Sequence, residues 1–198
     1  LGCGSCTAHC PYEVSVRRLV ELLRQKAMQE PYLAGRREPF QADPALAQGI
    51  QAMALLGGRV SGFHNVSGED NAARLAWTAN LARQPAGIDR RQGVETVYFV
   101  GCVSAMFPMS YGIPQSFVSL LQKAGLEFTT LGSSEWCCGF PLLMAGQLAQ
   151  ARELMDHNLG EVRALGARRL VMTCPSCYHM WSHVYPQELG QPLGLEVL

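Results

Sequence analysis

Hydrophobic positions follow a helical period in the first half of the chain. Over 13–29, Val16, Leu19, Val20, Leu23 and Ala27 recur at helical spacing with Arg and Gln between them, which predicts a helix. Pro31, Gly35, Pro39 and Pro44 break that pattern and predict a loop near 30–44. A second helix is predicted over 45–56 around Leu46, Ile50 and Met53, ended by Gly57-Gly58. Residues 59–69 read as loop. Residues 70–83 read as a third helix, with Asp70 as its cap and Leu75, Trp77 and Leu81 as apolar positions. Pro85 and Gly87 mark 84–93 as a linker.

The pattern changes at Val94. Residues 94–100, 126–131 and 168–173 are β-rich runs, and 195–198 starts a fourth. Between them lie helical stretches. Residues 115–124 turn Phe117, Leu120 and Leu121 inward and stop at Gly125. Residues 142–165 stop at Gly166, with Gly146 and Gly160 as candidate bends; 178–184 form a last short helix. Strands alternating with helices imply a parallel sheet with right-handed crossovers. The expected fold class is therefore α/β, a helical N-terminal part followed by a parallel-sheet domain. The expected division is 1–30, a helical linker region at 31–93, and 94–198.

Composition narrows the function. Of 198 residues, 48% are hydrophobic and only 16% charged, which argues against disorder. Sixteen basic residues balance sixteen acidic ones, so nothing points to nucleic acid or an acidic membrane surface. No apolar run is long enough to predict a membrane span.

Cysteine carries the chemistry. Cys3, Cys6 and Cys10 form one tight group; Cys102, Cys137, Cys138, Cys174 and Cys177 form a spread one. A secreted disulfide scaffold would be shorter and more evenly stitched, and a disulfide between neighbours such as Cys137 and Cys138 is strained. The set reads as metal ligands in a reducing compartment. The first group is C-x2-C-x3-C-P, matching the second, third and fourth cysteines of the bacterial 4Fe-4S ferredoxin run. On that alignment the chain is expected to begin inside a cluster motif. Cys3 and Cys6 would then share one cluster and Cys10 would serve another. A CxxC redox pair or a zinc knuckle is the alternative.

The second group follows successive predicted strands: Cys102 the first, Cys137 and Cys138 the second, Cys174 and Cys177 the third. Ligands of parallel α/β sheets bind beyond the carboxyl ends of the strands, so the five thiols are expected to converge on one edge. Five exceed the four that zinc takes, which favours iron–sulfur over zinc.

Cys102, Cys137-Cys138-Gly139 and Cys174-Pro175-Ser176-Cys177, at these separations, resemble the CCG cysteine-rich domain of the heterodisulfide reductase family. That family includes the iron–sulfur subunits of glycolate and lactate oxidases. Residues 1–30 resemble the ferredoxin-type motif of its small electron-transfer subunit. Asn65, Gly68, Arg74 and Trp77 resemble the N-x-x-G-x5-R-x-x-W linker of fused members, with Val66 where the family has proline. The resemblance implies a noncubane 4Fe-4S cluster on Cys102, Cys137, Cys138, Cys174 and Cys177, with zinc as the alternative there, and ferredoxin-type 4Fe-4S clusters on Cys3, Cys6 and Cys10. It further implies an oxidoreductase subunit in which the five CCG cysteines act on a disulfide or related sulfur substrate. The partners are other redox subunits, a flavoprotein or a membrane cytochrome. The location is cytoplasmic or peripheral on the inner face of the membrane through a partner. An electron-transfer subunit of a 2-hydroxyacid oxidase and a non-catalytic zinc-binding assembly module are the other readings. Gly4-Ser5-Cys6-Thr7, with no Pro-Thr-Tyr after Cys10, favours the first.

His9, His64, His157, His179 and His183 are the conventional proton carriers. His179 and His183 stand four apart after the CxxC, where they share a helix face as proton donors, as zinc ligands, or as an ordinary polar surface. Trp136 and Trp181 read as pocket wall or core.

Overall fold

The structure, a computed structural model, describes residues 5–12, 14–29, 44–81 and 83–198. The loop expected near 30–44 lies almost wholly outside them, as does Cys3. Helices α1 (Ser5–Ala8), α2 (Val16–Gln29) and α3 (Pro44–Phe63) are followed by a 3-10 stretch over Asn71–Asn80. The Asp70 carboxylate caps that stretch by accepting from the Ala72 N–H at 2.8 Å. Then come β1 (Thr96–Phe99), α4 (Cys102–Met106), α5 (Gly112–Lys123), α6 (Phe140–Met144) and α7 (Leu148–Ala164). After them lie β2 (Arg169–Met172), α8 (Pro175–His179), a π turn over Met180–Val184, α9 (Tyr185–Glu188) and β3 (Glu196–Val197). Among the described residues no helix is long and apolar enough to cross a membrane.

The sheet is parallel in the order β1-β2-β3, with Thr96 beside Arg169 and Arg169 beside Glu196. Strand alternation sorts its side chains to two faces. Val97, Phe99 and Leu170 join α6, α7, Trp181 and Tyr185 in one apolar cluster. Tyr98, Val100 and Val171 join Trp77, Val118, Leu121 and Phe128 in the other. Helices thus cover both faces, as a parallel sheet requires.

Several expectations change. The run 126–131 is not a full strand. Thr129 exchanges backbone hydrogen bonds with Tyr98 and Thr96 at 2.8 and 3.1 Å, but the Thr130 N–H turns to the Ile88 carbonyl at 2.8 Å. The segment divides its bonds between β1 and the stretch before it. The pair Gly57-Gly58 does not end α3, which runs on to Phe63, and a Cβ on Gly57 would overlap the Gln147 side chain. In α5, Val118 is buried, whereas Leu120 is 61% exposed. The long helix over 142–165 is two, broken at Gly146, where φ is 77°; Gly160 causes no break.

Helix α2 forms as its spacing predicts, but with most of its large apolar side chains outward. Leu19, Val20, Leu22 and Leu23 are exposed, and Glu21 and Gln25 are buried. Its contacts are polar: Arg17 meets His179 at 2.6 Å, Arg18 meets Glu188 at 3.3 Å, and Arg24 donates to the Met144 carbonyl at 3.0 Å. Glu188 also binds Arg152 at 2.8 Å, so one carboxylate ties α2, α7 and α9 together.

Candidate metal centre

The five cysteines after residue 100 line one cavity of about 140 Å³. Cys102 opens α4 just past the Val100-Gly101 step that follows β1, Cys174 precedes α8 with only Thr173 between it and β2, and Cys177 lies within α8. Cys137 and Cys138 arrive on a turn that ends in Gly139. Gly139 adopts φ 89°, and a Cβ there would stand 3.4 Å from the Ala151 carbonyl oxygen. Gly101, at φ 81°, lets the Cys177 sulfur come within 3.2 Å of where its Cβ would be. Both glycines admit backbone that side-chain-bearing residues rarely adopt. The rest of the wall is mainly Val66, Val103, Phe140 and Pro141, with Ser104 and Ser176.

The sulfurs hydrogen-bond one another in a line. Cys102 bonds Cys137, Cys137 bonds Cys138, and Cys177 bonds both Cys138 and Cys174. Hydrogen bonds from Cys137 and Cys177 hold Cys138 below the usual thiol range. The Cys177 thiol, aided by the backbone N–H groups of Cys177 and Ser176, holds Cys174 down to about 6. Cys102 is pushed up by its bond to Cys137 and by burial, and Cys177 by its bonds to Cys138 and Cys174. Cys137 is drawn down by Cys102 but pushed up overall by Cys138 and burial. Among the described residues, no group of three or more His, Cys, Asp or Glu stands ready to hold a single metal ion.

Residues that sequence reasoning did not single out hold this arrangement. Asn158, wholly buried, accepts from the Trp136 N–H at 2.9 Å and donates to the Cys137 carbonyl at 3.1 Å. Its signal is a polar residue in the apolar stripe Ala151, Leu154, Met155, Leu159 and Val162. The Tyr185 hydroxyl donates to the Cys138 carbonyl at 3.2 Å. Glu135 accepts from the Val100 and Gly101 N–H groups, both at 2.8 Å, and pairs with Arg74 at 2.7 Å. Burial pushes the Glu135 carboxyl up, while Arg74 and those N–H groups draw it back.

The stretch from Asn65 to Trp77 is part of the site. The Asn65 side chain donates to the Phe63 and Glu69 carbonyls and to Asn71, and accepts from Ser67 and Gly68. Gly68 takes φ 82° in this turn, which presents Val66 to the cavity. Asn71 binds Arg74 at 3.0 Å, and Arg74 reaches the Cys102 sulfur at 3.4 Å.

Of the other expected positions, those whose side chains the structure describes lie apart from the cavity. Cys6 lies in α1, and Cys10 follows it, half-buried. His64 and His157 both stack on Trp136, with ring centroids 3.6 and 3.5 Å away. The His179 and His183 rings stack 5.2 Å apart, and burial, with Arg17 and His183 nearby, lowers the pKa of His179. Trp181 is core, edge-on to Phe99. Among the described residues no histidine lines the cavity.

Residues 96–182 match the CCG cysteine-rich domain family. The chain is 31% identical, over 99% of its length, to a subunit of the dihydromethanophenazine:CoB–CoM heterodisulfide reductase of Methanosarcina acetivorans, and 29% to its counterpart in Methanosarcina barkeri. It covers 43% of those two proteins, so it spans less than half the length of the curated relatives it matches. It is 27% identical to EtfAB:quinone oxidoreductase of Syntrophomonas wolfei, over 95% of this chain and 25% of that protein. No solved structure matches it. The match to the CCG cysteine-rich domain thus spans residues 96–182, in a chain similar along nearly its whole length to part of a heterodisulfide reductase.

Proposed function

We propose that this chain is an iron–sulfur redox module of heterodisulfide reductase type. Cys102, Cys137, Cys138, Cys174 and Cys177 hold a noncubane 4Fe-4S cluster, and Cys3, Cys6 and Cys10 serve ferredoxin-type clusters that exchange electrons with it. The observation that carries this reading is the meeting of five thiols, from the ends of separate elements, on one cavity. The donor set fits: thiolate is the ligand such clusters take, and five sulfurs exceed a tetrahedral zinc set. When bound, the cluster supplies one-electron steps beside a disulfide, whose cleavage needs two.

The chain's own residues prepare that chemistry. Asn158 and Tyr185 fix the carbonyls of Cys137 and Cys138, so adjacent sulfurs leave one turn in a set direction. Val66, Val103, Phe140 and Pro141 keep the wall apolar and limit water. Thiolate character is already favoured at Cys138 and Cys174. The partners are further redox subunits, a flavoprotein or a membrane cytochrome, as suits a relative described as one subunit of a reductase.

The test is anaerobic purification with iron, sulfide and zinc analysis and EPR, beside Cys137→Ser. Iron and acid-labile sulfide are expected, with loss of the CCG signal in the variant because serine is a poor ligand where iron prefers thiolate. Stoichiometric zinc without iron would instead mark an assembly module. The likeness to EtfAB:quinone oxidoreductase supports a second reading, in which the site relays electrons without acting on sulfur. Disulfide turnover by the assembled complex, abolished by Cys137→Ser, separates the two.

A further inference from the structure

The Arg74 guanidinium is 2% exposed and spends each nitrogen on a different partner. Nε donates to Asn71 Oδ1 at 3.0 Å, one terminal nitrogen to Glu135 Oε1 at 2.7 Å, and the other to Cys102 Sγ at 3.4 Å. Glu135, also 2% exposed, spends its remaining capacity on the Val100 and Gly101 N–H groups. The two residues therefore grip the same point from two sides: Glu135 holds the backbone leading into Cys102, and Arg74 holds its sulfur. Stability alone explains the pair poorly, since a buried ion pair is often no better than apolar residues of similar volume. A planar fork that binds a carboxylate and still presents a donor elsewhere is a property of arginine that lysine lacks.

We infer that Arg74 is a positioning residue that fixes the Cys102 sulfur toward the cavity and, opposed by Glu135, sets the reduction potential of the centre held there. This rests on the reading that the five cysteines hold an iron–sulfur cluster. Reduction adds negative charge, so a cation on a ligand sulfur favours the reduced form and a nearby carboxylate opposes it. Removing the two members of one ion pair must then shift the potential in opposite directions. A pair that only stabilised the fold would give no such sign reversal.

The experiment is an EPR-monitored redox titration of the CCG-site signal in the anaerobically prepared chain, for wild type, Arg74→Met, Arg74→Lys and Glu135→Gln. Arg90→Met, which removes a partly exposed cation paired with Glu161, is the control for net charge. Arg74→Met is expected to lower the midpoint by at least 59 mV, a tenfold change in a one-electron equilibrium. Glu135→Gln is expected to raise it, Arg74→Lys to stay nearer wild type than Arg74→Met, and Arg90→Met to leave it in place. Should Arg74→Met assemble no cluster, Arg74→Lys and Glu135→Gln carry the test. Charge retained without the fork then gives an altered EPR line shape at a near-native midpoint, beside a raised midpoint in Glu135→Gln. Midpoints unmoved, or moved the same way by both members of the pair, overturn the inference while the cluster reading stands. A wild-type chain without iron–sulfur EPR overturns the reading itself.

Discussion

At Cys174 the sulfur receives hydrogen bonds from the Cys177 thiol and from two backbone N–H groups, and it is half-buried where Cys138 is fully buried. These bonds stabilise the thiolate, so its pKa falls from the usual thiol value of about 8.5 to about 6. A lowered pKa means that the reactive form is present above about pH 6 and lost below it. In the reduced, metal-free chain, Cys174 should therefore react with iodoacetamide ahead of the other cavity cysteines. Its rate should rise through about pH 6 and level off by neutrality, followed by peptide mass spectrometry. A rate still rising through about pH 8.5 would contradict the arrangement. Cys102, Cys174 and Cys177 were legible as a group because they follow β1 and β2, whereas Cys137 and Cys138 reach the same cavity from a segment that forms no full strand. Glu135 and Tyr185 were not legible, because they act on backbone groups far away in sequence, and no local pattern marks that. Asn158 was half legible: the apolar stripe of α7 exposes it as an anomaly without naming its partners.

Elements were legible where period and punctuation agree, as in α2, β1 and β2. They were misread where tertiary contacts override a local signal. Gly57 lies within α3, where the missing Cβ makes room for Gln147, instead of ending the helix. In α2 the period predicts a helix, yet the buried side follows Arg17, Arg18 and Arg24 to acceptors far along the chain. Gly146 decides how close α2 can come. A Cβ there would lie 2.5 Å from the Arg24 carbonyl carbon, and φ at that position is 77°. Backbone on both sides cannot yield as a side chain can. Gly146→Ala should therefore detach α2 and add strain of about 1–3 kcal/mol. Hydrogen exchange over 16–29 should speed up markedly while β2 keeps its protection. Equal protection of α2 in the variant and the native chain would show that the contact does not hold it.

For the whole molecule, the stretch before β1 and the cysteine-rich part meet at one cavity. The Asn65 turn forms one side of the cavity through Val66, and Trp77 is wholly buried in the same apolar cluster as Tyr98. The alternation of strands and helices was readable; that the stretch before β1 reaches the site was not, since Arg74 meets Glu135 and Cys102 far along the chain and no local pattern marks such partners. Asn65 makes its bonds from a wholly buried position. Asn65→Ala should lower stability by about 1–3 kcal/mol, measured by chemical denaturation, through buried groups left unpartnered. It should also open the cavity, so that visible absorbance in the loaded protein bleaches several-fold faster in air than in wild type. Unchanged bleaching with reduced stability would assign Asn65 to the fold alone.

The wide sequence separation of the cavity's donors sets a schedule for synthesis. Cys102 leaves the ribosome long before Cys177, and at about 5–20 residues per second the interval is roughly 4–15 s. Throughout that interval the earlier thiols have neither their last partners nor the wall that α8 completes. A nascent chain in an oxidising setting would meet its hazard here, with Cys137 and Cys138 already out and Cys174 and Cys177 still to come. Any carrier that delivers metal and sulfide must therefore either wait for the chain to pass Cys177 or shield the first three sulfurs until it does.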